Sequence, residues 1–390
     1  FEGEDHVDDD DAAFDGAAFE AGGDFEHARF REGSFADVRF DGPAVFDDVV
    51  FERDAVFRNV AFEDASFVEA RFRGDASFEA MTATGRVSFR GAEFRGGDNV
   101  ADDNVSFADA EFGGPADFES AQFASTAFDG ARFEETARFE GTRFDGTASF
   151  AGTAFEDGVA FEDARLRDVD ATDATFDDAA AFTGTDVAGE ATFDDAAFRD
   201  RAEFVELRFH DDASFAGAAF DGAATFEGAE FDGGDNVRAD DVTFAEATFA
   251  ETATFHRVTF AHAVFAGAAF GGDALFAEAT FTERAVFDGA TAAGDVDASF
   301  VRFDEAATFA DASFEGEVDM TATHFEHDAR FDGATFAAGA TFTGTEFVGG
   351  AHTIDDAVFS GAVFGDDADF ELAVFRFASF ENVAFEGDAE

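Results

Sequence analysis

Two short segments of the chain concentrate oxygen ligands at a density that could hold a hard cation. Each contains a Gly-Gly pair, and they run from Gly96 to Asn104 and from Gly233 to Asp241. Clustered carboxylates of this kind suit Ca²⁺ or Mg²⁺. The weak metal candidates are Asp98, Asp102, Asp103, Asp235, Asp240 and Asp241. A third segment, around His352, has fewer carboxylates, so a structural loop is the interpretation that we favour for all three.

The sequence offers little support for catalysis. Its 8 His residues show no paired metal-ligand spacing and no triad partner, and most fall where a surface position is expected. Carboxylate pairs are too common to single out one pair as acid and base, and neither a nucleophile elbow nor a phosphate loop is present. With 0 Cys, disulfide and thiol chemistry are excluded. We therefore predict a protein that is not an enzyme and needs no cofactor.

The elements that must position any functional residue follow from a repeat of Phe every five or six residues. A typical run has Phe at 128, 133, 139, 144 and 150, with a small residue two positions before each Phe. A spacing of two places both side chains on the same side of an extended strand. A helix is excluded, because steps of five and six would spread Phe over every face. The sequence thus predicts an all-β solenoid of short strands and corners.

The order of the steps predicts the number of sides in each coil. Steps of five and six alternate, so stacked coils stay in register only if the number of sides is even, which favours four sides and coils of about 22 residues. Insertions follow Phe94, Phe231 and Phe347, and counting by four places all three on one corner. Of the six steps shortened from six to five, only the one from Phe62 to Phe67 lies on a different corner. One corner is therefore predicted to be the variable edge.

The repeat resembles a known family. Segments such as Phe139 to Phe144 and Phe331 to Phe336 are similar to pentapeptide-repeat proteins, in a Phe-centred variant with a five-plus-six double step. The resemblance implies a right-handed quadrilateral β-helix, here of about 16 coils. We expect an acidic N-terminal segment at 1–13, one repeat domain at 14–385 and an acidic tail at 386–390. The predicted core includes Phe133, Phe139, Phe144, Phe150, Phe193, Phe198, Phe204 and Phe209.

The charge is the most extreme property of the composition. Asp and Glu number 89 against 24 basic residues, which gives a net charge of −65, and every basic residue is Arg. On a stack of strands about 4.8 Å apart, this charge has a density comparable with that of duplex DNA. Some pentapeptide-repeat proteins are acidic rods that occupy the DNA site of gyrase, so the resemblance implies DNA mimicry as an alternative function. The interpretation that we favour is a halophile-type surface, which also explains the absence of Lys.

The arginines are concentrated on one side of the predicted solenoid. We call the inward Phe of each side, or the residue that replaces it, the anchor of that side. The arginines directly before or after an anchor of this side include Arg29, Arg31, Arg71, Arg73, Arg95, Arg143, Arg165, Arg167 and Arg208. This side leads into the variable corner, and we expect the resulting edge to bind an unknown protein partner. The competing interpretation is that these arginines only pair with acids such as Glu52 or Asp145 in adjacent coils.

Other expectations concern partners and location. The negative charge disfavours direct nucleic-acid binding. No apolar run approaches the length of a membrane span, and the absence of Cys with a halophile-type composition favours the cytoplasm of a high-salt cell. Because the chain starts on Phe1 and stops soon after Phe385 without a cap, we expect end-to-end pairing of copies or flanking domains.

Overall fold

The chain folds as a parallel β-solenoid, which confirms the predicted fold class. In this computed structural model the described residues are 12–96, 104–233, 242–349 and 357–390. They contain strands and turns and no helix, and they form two compact units, 1–190 and 191–390. Each coil has four sides, which we number face 1 to face 4 in chain order. The prediction of one domain over 14–385 stays a prediction.

The strands of unit 1 are short and stack in parallel. Face 1 contains Ala18–Phe19, Arg39–Phe40, Ala61–Phe62, Thr82–Ala83, Glu111–Phe112, Arg132–Phe133, Ala154–Phe155 and Thr175–Phe176. Face 2 contains Gly23–Asp24, Ala44–Val45, Ala65–Ser66, Val87–Ser88, Ala116–Asp117, Ala137–Arg138, Val159–Ala160 and Ala180–Ala181. Face 3 contains Arg29–Phe30, Val50–Phe51, Arg71–Phe72, Glu93–Phe94, Gln122–Phe123 and Asp186–Val187, and face 4 contains Gly33–Ser34, Ala55–Val56, Ala76–Ser77, Asn104–Ser106 and Ser125–Ala127. Arg143–Ser149 and Arg165–Asp170 run through both faces 3 and 4.

Unit 2 repeats this plan. Face 1 contains Ala197–Phe198, Ala219–Phe220, Thr248–Phe249, Ala269–Phe270, Thr291–Ala292, Ser313–Phe314, Thr335–Phe336, Val363–Phe364 and Ala384–Phe385. Face 2 contains Ala202–Glu203, Ala224–Thr225, Ala253–Thr254, Ala274–Leu275, Val296–Asp297, Val318–Asp319, Ala340–Thr341 and Ala368–Asp369. Face 3 contains Arg208–Phe209, Glu230–Phe231, Thr259–Phe260, Thr280–Phe281, Arg302–Phe303, His324–Phe325, Glu346–Phe347 and Val374–Phe375. Face 4 contains Ala191–Thr192, Ala213–Ser214, Val242–Thr243, Ala263–Val264, Ala285–Val286, Ala307–Thr308, Ala329–Arg330, Ala357–Val358 and Ala378–Ser379.

Ladders of Phe rings fill the interior of each unit. In unit 1, Phe35 and Phe57 on face 4 stack nearly parallel with ring centroids 4.8 Å apart. Phe46 on face 2 meets both of them edge-on, with centroids 5.3 Å away. Parallel offset and edge-to-face contacts are the geometries that aromatic rings prefer. The predicted core side chains are all buried in their units: Phe133, Phe139, Phe144, Phe150, Phe193, Phe198, Phe204 and Phe209.

Two kinds of corner explain why the steps alternate. After an anchor of face 2 or face 4, the chain makes a tight turn closed by a backbone hydrogen bond, such as the one that the N–H of Ala218 donates to the carbonyl of Phe215 at 3.1 Å. The second residue after the anchor has a positive φ, as at Gly217 (67°), which favours Gly, Asn and Asp. In the described ranges, corners after faces 1 and 3 mostly take six residues and lack this hydrogen bond; the exception is the corner after Phe19, where the N–H of Gly22 donates to the carbonyl of Phe19 at 3.2 Å. All three insertions lie between faces 3 and 4, as predicted.

Candidate functional site

Face 3 of unit 1 holds most of the arginines that the sequence singles out, and we call this face the arginine face. Each strand of this face has one outward residue that is the register partner of the outward residue on the next strand. Together these residues form a ladder. In order, the ladder contains Arg29, Val50, Arg71, Glu93, Gln122, Arg143, Arg165 and Asp186. The structure thus places Arg29, Arg71, Arg143 and Arg165 on one side of the coil in this unit.

Pairing between coils accounts for two of the arginines. Glu52 accepts an ion pair from Arg29 and a second from Arg73, the latter at 2.5 Å between Nη1 and Oε2. Both arginine side chains are exposed, so each pair contributes about 0–1 kcal/mol to stability. The competing interpretation, that arginines pair with acids one coil away, therefore holds at Glu52.

Other arginines pair close to their own position. Arg95 contacts Glu93 two residues earlier, with 2.8 Å between Nη2 and Oε2. In unit 2, by contrast, Arg208 pairs with Glu230 one coil away, at 3.1 Å between Nε and Oε2, so the pairing between coils extends to this arginine as well. Arg31 follows the anchor of its strand and is half-buried. These side chains are placed as expected, and their pairing with acids does not by itself indicate a binding site.

A groove with different electrostatics lies further along the same face. Its lining residues are Arg143, Phe144, Asp145, Arg165, Leu166, Arg167, Asp186 and Ala188, and its volume is about 300 Å³. We call it the arginine groove. Three arginines and two aspartates line it, and Asp168 lies 3.8 Å from Arg167, whereas the whole chain has 24 basic and 89 acidic residues. The arginine groove is thus close to neutral in a strongly acidic chain.

The arrangement of the three arginines is unfavourable on its own. Arg143 and Arg165 lie directly opposite each other on adjacent strands, a position in which like charges destabilise a sheet. Arg143 is bound by Asp145 at 2.5 Å, and Arg167 lies 3.8 Å from Asp168. The exposed guanidinium of Arg165 makes no ion pair or hydrogen bond with the described residues, although Asp186 is its register partner on the next strand.

Local departures from the repeat build this groove. Arg143–Ser149 and Arg165–Asp170 continue around the corner as single strands, and their register shifts between Phe144 and Thr147. Such irregularities re-aim side chains and are common next to binding sites. The Phe ladder of this face is also interrupted, because Leu166 and Val187 occupy anchor positions. A Cβ at Gly189 would lie 2.1 Å from Oδ1 of Asp168, a side-chain atom that can move aside, and 3.0 Å from the carbonyl oxygen of Arg167.

The metal candidates receive no structural support. Asp98, Asp102, Asp103, Asp235, Asp240 and Asp241 all lie outside the described residues. Within residues 12–96, 104–233, 242–349 and 357–390, no group of three or more His, Cys, Asp or Glu could hold a metal ion. Histidines in the described ranges mostly pair with surface carboxylates, as His324 does with Glu326 at 2.9 Å and with Glu346 at 3.1 Å.

No membrane-crossing helix occurs in the part of the chain that the structure describes. The sequence pattern missed the arginine groove, because it sorted arginines by face and not by what each one contacts. One feature of the sequence could have indicated the groove. Leu166 and Val187 replace Phe at two successive anchor positions of this face, which marks an irregular stretch.

Comparison with known proteins agrees with the geometry of a four-sided parallel solenoid. The family model for pentapeptide repeats (9 copies) matches residues 35–82, 102–143, 128–170, 139–186 and 298–346. The matched segments consist of pentapeptide repeats, as the Phe spacing predicts. No curated protein matches the sequence significantly.

One solved structure is similar to part of the chain. It is HetL, a pentapeptide repeat protein involved in heterocyst differentiation regulation from the cyanobacterium Nostoc sp. strain PCC 7120. The sequences are 13% identical, and the match covers 58% of this chain and 87% of HetL with a TM-score of 0.26. At that TM-score, the similarity carries no argument about function or about equivalent positions.

Proposed function

We propose that this protein is a non-enzymatic interaction scaffold that contacts an anionic surface of a partner protein through its arginine face. The observation that carries the proposal is the juxtaposition of Arg143 and Arg165 on adjacent strands. Like charges in that position lower the stability of the folded chain, so the stability of the fold does not explain why both residues are Arg. A role in binding does, because guanidinium groups recognise carboxylates and phosphates with paired hydrogen bonds.

The rest of the arginine face is compatible with exchange of partners. The ion pairs of Arg29 and Arg73 with Glu52 are exposed and cost little to break. The net charge of −65 repels an anionic partner at low salt, but the Debye length falls to about 3 Å at 1 M salt. In concentrated salt, short-range contacts with the arginines therefore dominate over the field of the whole molecule.

Two charge-matched variants test this proposal. The first replaces Arg29, Arg71, Arg143 and Arg165 with Ser, and the control replaces Arg39, Arg58, Arg86 and Arg90, which are exposed on other parts of unit 1. Each variant loses four positive charges. Proteins captured from lysate by the immobilised chain would be quantified by mass spectrometry, with folding verified by circular dichroism.

The two variants are expected to behave differently. We expect the first variant to lose a defined set of proteins that both the wild type and the control retain. Loss of the same proteins from both variants would attribute capture to net charge and would overturn the proposal. Retention of all proteins by a folded first variant would also overturn it.

The net charge of −65 supports a second candidate function, inhibition of a topoisomerase by DNA mimicry. An acidic solenoid of stacked strands would present charge at a density comparable with that of duplex DNA. A gyrase supercoiling assay, run beside an unrelated protein of halophile-type composition, distinguishes the two. Inhibition by this chain alone would favour mimicry, whereas equal or absent inhibition would favour an acidic surface that serves solubility.

A further inference from the structure

The arginine groove has features that single out a ligand class more specific than an acidic surface. Its three arginines converge within a volume of about 300 Å³ that is open to solvent. Arg143 pairs with Asp145, and Arg167 lies 3.8 Å from Asp168. Arg165 lies between Arg143 and Asp186 in the ladder and keeps its guanidinium exposed.

We propose that the arginine groove binds a phosphate dianion carried on a side chain of a partner polypeptide. This inference rests on the proposed function, because it names the chemistry that the arginine face recognises. A phosphomonoester carries a charge of about −1.5 to −2 at pH 7 and three acceptor oxygens. Arg165 can donate two parallel hydrogen bonds to such a group, and Arg143 and Arg167 add positive charge on either side.

A lone carboxylate fits the groove less well than a phosphate. A carboxylate is already present beside Arg165, because Asp186 is its register partner on the next strand. The chain has 89 acidic residues, so a shortage of carboxylates does not explain why the exposed Arg165 is unpaired among the described residues. A ligand with higher charge and more acceptors offsets the repulsion between Arg143 and Arg165, and so gains affinity where the free groove is unfavourable.

The binding experiment uses the full chain and four probes. Calorimetric titration would be run with inorganic phosphate, a phosphoserine peptide, the same peptide with Ser, and the same peptide with Asp. All titrations share one ionic strength, set at the lowest potassium chloride concentration that keeps the chain folded. We expect the phosphoserine peptide to bind about tenfold or more tightly than the Asp peptide, as charge-assisted hydrogen bonds predict.

Variants assign the binding to the groove. Arg165→Gln should weaken binding of the phosphoserine peptide about tenfold or more, since one charged hydrogen-bond donor is removed. Arg165→Lys should recover part of the loss, because lysine keeps the charge but not the planar pair of donors. Arg208→Gln, on face 3 of unit 2 and paired with Glu230, is the matched control and should leave the affinity unchanged. Binding should also weaken as the pH falls through about 6, where the dianion becomes a monoanion.

Each outcome decides the proposal. Inorganic phosphate that binds as tightly as the phosphoserine peptide would support the site and identify free phosphate as its source. Equal affinity for the Asp and phosphoserine peptides, no binding, or equal loss in Arg165→Gln and Arg208→Gln would overturn it. If these titrations fail while the paired capture variants differ, the arginine face remains the contact surface and only the phosphate chemistry is wrong.

Discussion

Individual residues that replace Phe in the ladder have different consequences for packing. At Ala83 the exchange is compensated, because Met81 occupies the small-residue position two before it and both are buried. At Ala292 and Ala298 no large neighbour compensates, and an apolar cavity of about 40 Å³ lies between them and the adjacent rings. Core density in these units therefore depends on the sum of the two inward side chains and not on Phe alone.

Filling this cavity should stabilise unit 2. Ala298→Phe places a ring between Phe276 and Met320, which belong to the same face and line the same cavity. We expect a gain of about 1–2 kcal/mol in the free energy of unfolding, which is the burial of an aromatic side chain reduced by residual strain. The measurement is the denaturant midpoint of the full chain in constant salt.

A control variant distinguishes cavity filling from added hydrophobicity. Ala312→Phe adds the same ring at a buried small-residue position that does not line the cavity. This variant should lose stability through overpacking. A gain in both variants, or a loss in both, would contradict the account of the cavity.

A second residue-scale effect concerns Glu140. Burial raises the pKa of this carboxyl above its ordinary value of 4.5, and the neighbouring charge of Glu162 acts in the same direction. The folded state therefore binds a proton more readily than the unfolded state, so stability falls as the pH rises from about 4.5 through the raised pKa. Glu140→Gln should raise the thermal unfolding midpoint at pH 7, and its advantage should shrink as the pH falls below 4.5.

The matched control for this effect is Glu63→Gln, at an exposed position of unit 1. It removes the same charge, so it reports the general gain from a less negative chain. An equal gain in both variants at pH 7 would refute the assignment to burial of Glu140.

Residue identity predicted the core better than the site. The anchors could be predicted from the Phe spacing, because large apolar side chains in a narrow coil can be buried only in its interior. The sequence anticipated Glu52 as a partner for these arginines, but the isolation of Arg165 could not be found, because exposed side chains are positioned by neighbours from other coils. Long flexible arginines make such contacts in many geometries at little difference in energy.

At the scale of elements, the two kinds of corner determine where the chain tolerates change. Corners after faces 2 and 4 are tight turns with a positive φ, as at Gly217, and their length cannot change without losing the closing hydrogen bond. In the described ranges, corners after faces 1 and 3 have no such bond except at Gly22, whose N–H donates to the carbonyl of Phe19. The sequence predicted the variable edge from insertions and shortenings, but the reason, an open corner against a closed turn, needed the backbone geometry.

Two single deletions in unit 2 test this difference. Removing Asp211 shortens the open corner between Phe209 and Phe215 to five residues, a length that occurs elsewhere at this edge. We expect the chain to fold with a loss below about 1 kcal/mol, since loop length has a weak effect on stability. Removing Gly217 breaks a closed turn and should cost more than about 3 kcal/mol. Soluble yield and denaturant midpoints measure both, and equal tolerance would contradict the distinction.

At the scale of the whole molecule, the charge of −65 sets the conditions under which the fold is stable. Like charges repel in the compact state, and added salt screens them. The thermal unfolding midpoint should therefore rise with potassium chloride and level off near 1 M, where the Debye length is about 3 Å. Sucrose at equal osmolarity is the control and should have a smaller effect. A midpoint that does not respond to salt would contradict a surface adapted to salt.

The central claim, that partners contact the arginine face and not the acidic surface in general, can be tested by arginine footprinting. The chain would be labelled with an arginine-selective dicarbonyl, with and without the proteins that it captures, and each site quantified by mass spectrometry. The account predicts protection of Arg143, Arg165 and Arg167 on binding, with Arg39 and Arg58 unchanged. Equal protection of all arginines, or protection confined to Arg39 and Arg58, would contradict it.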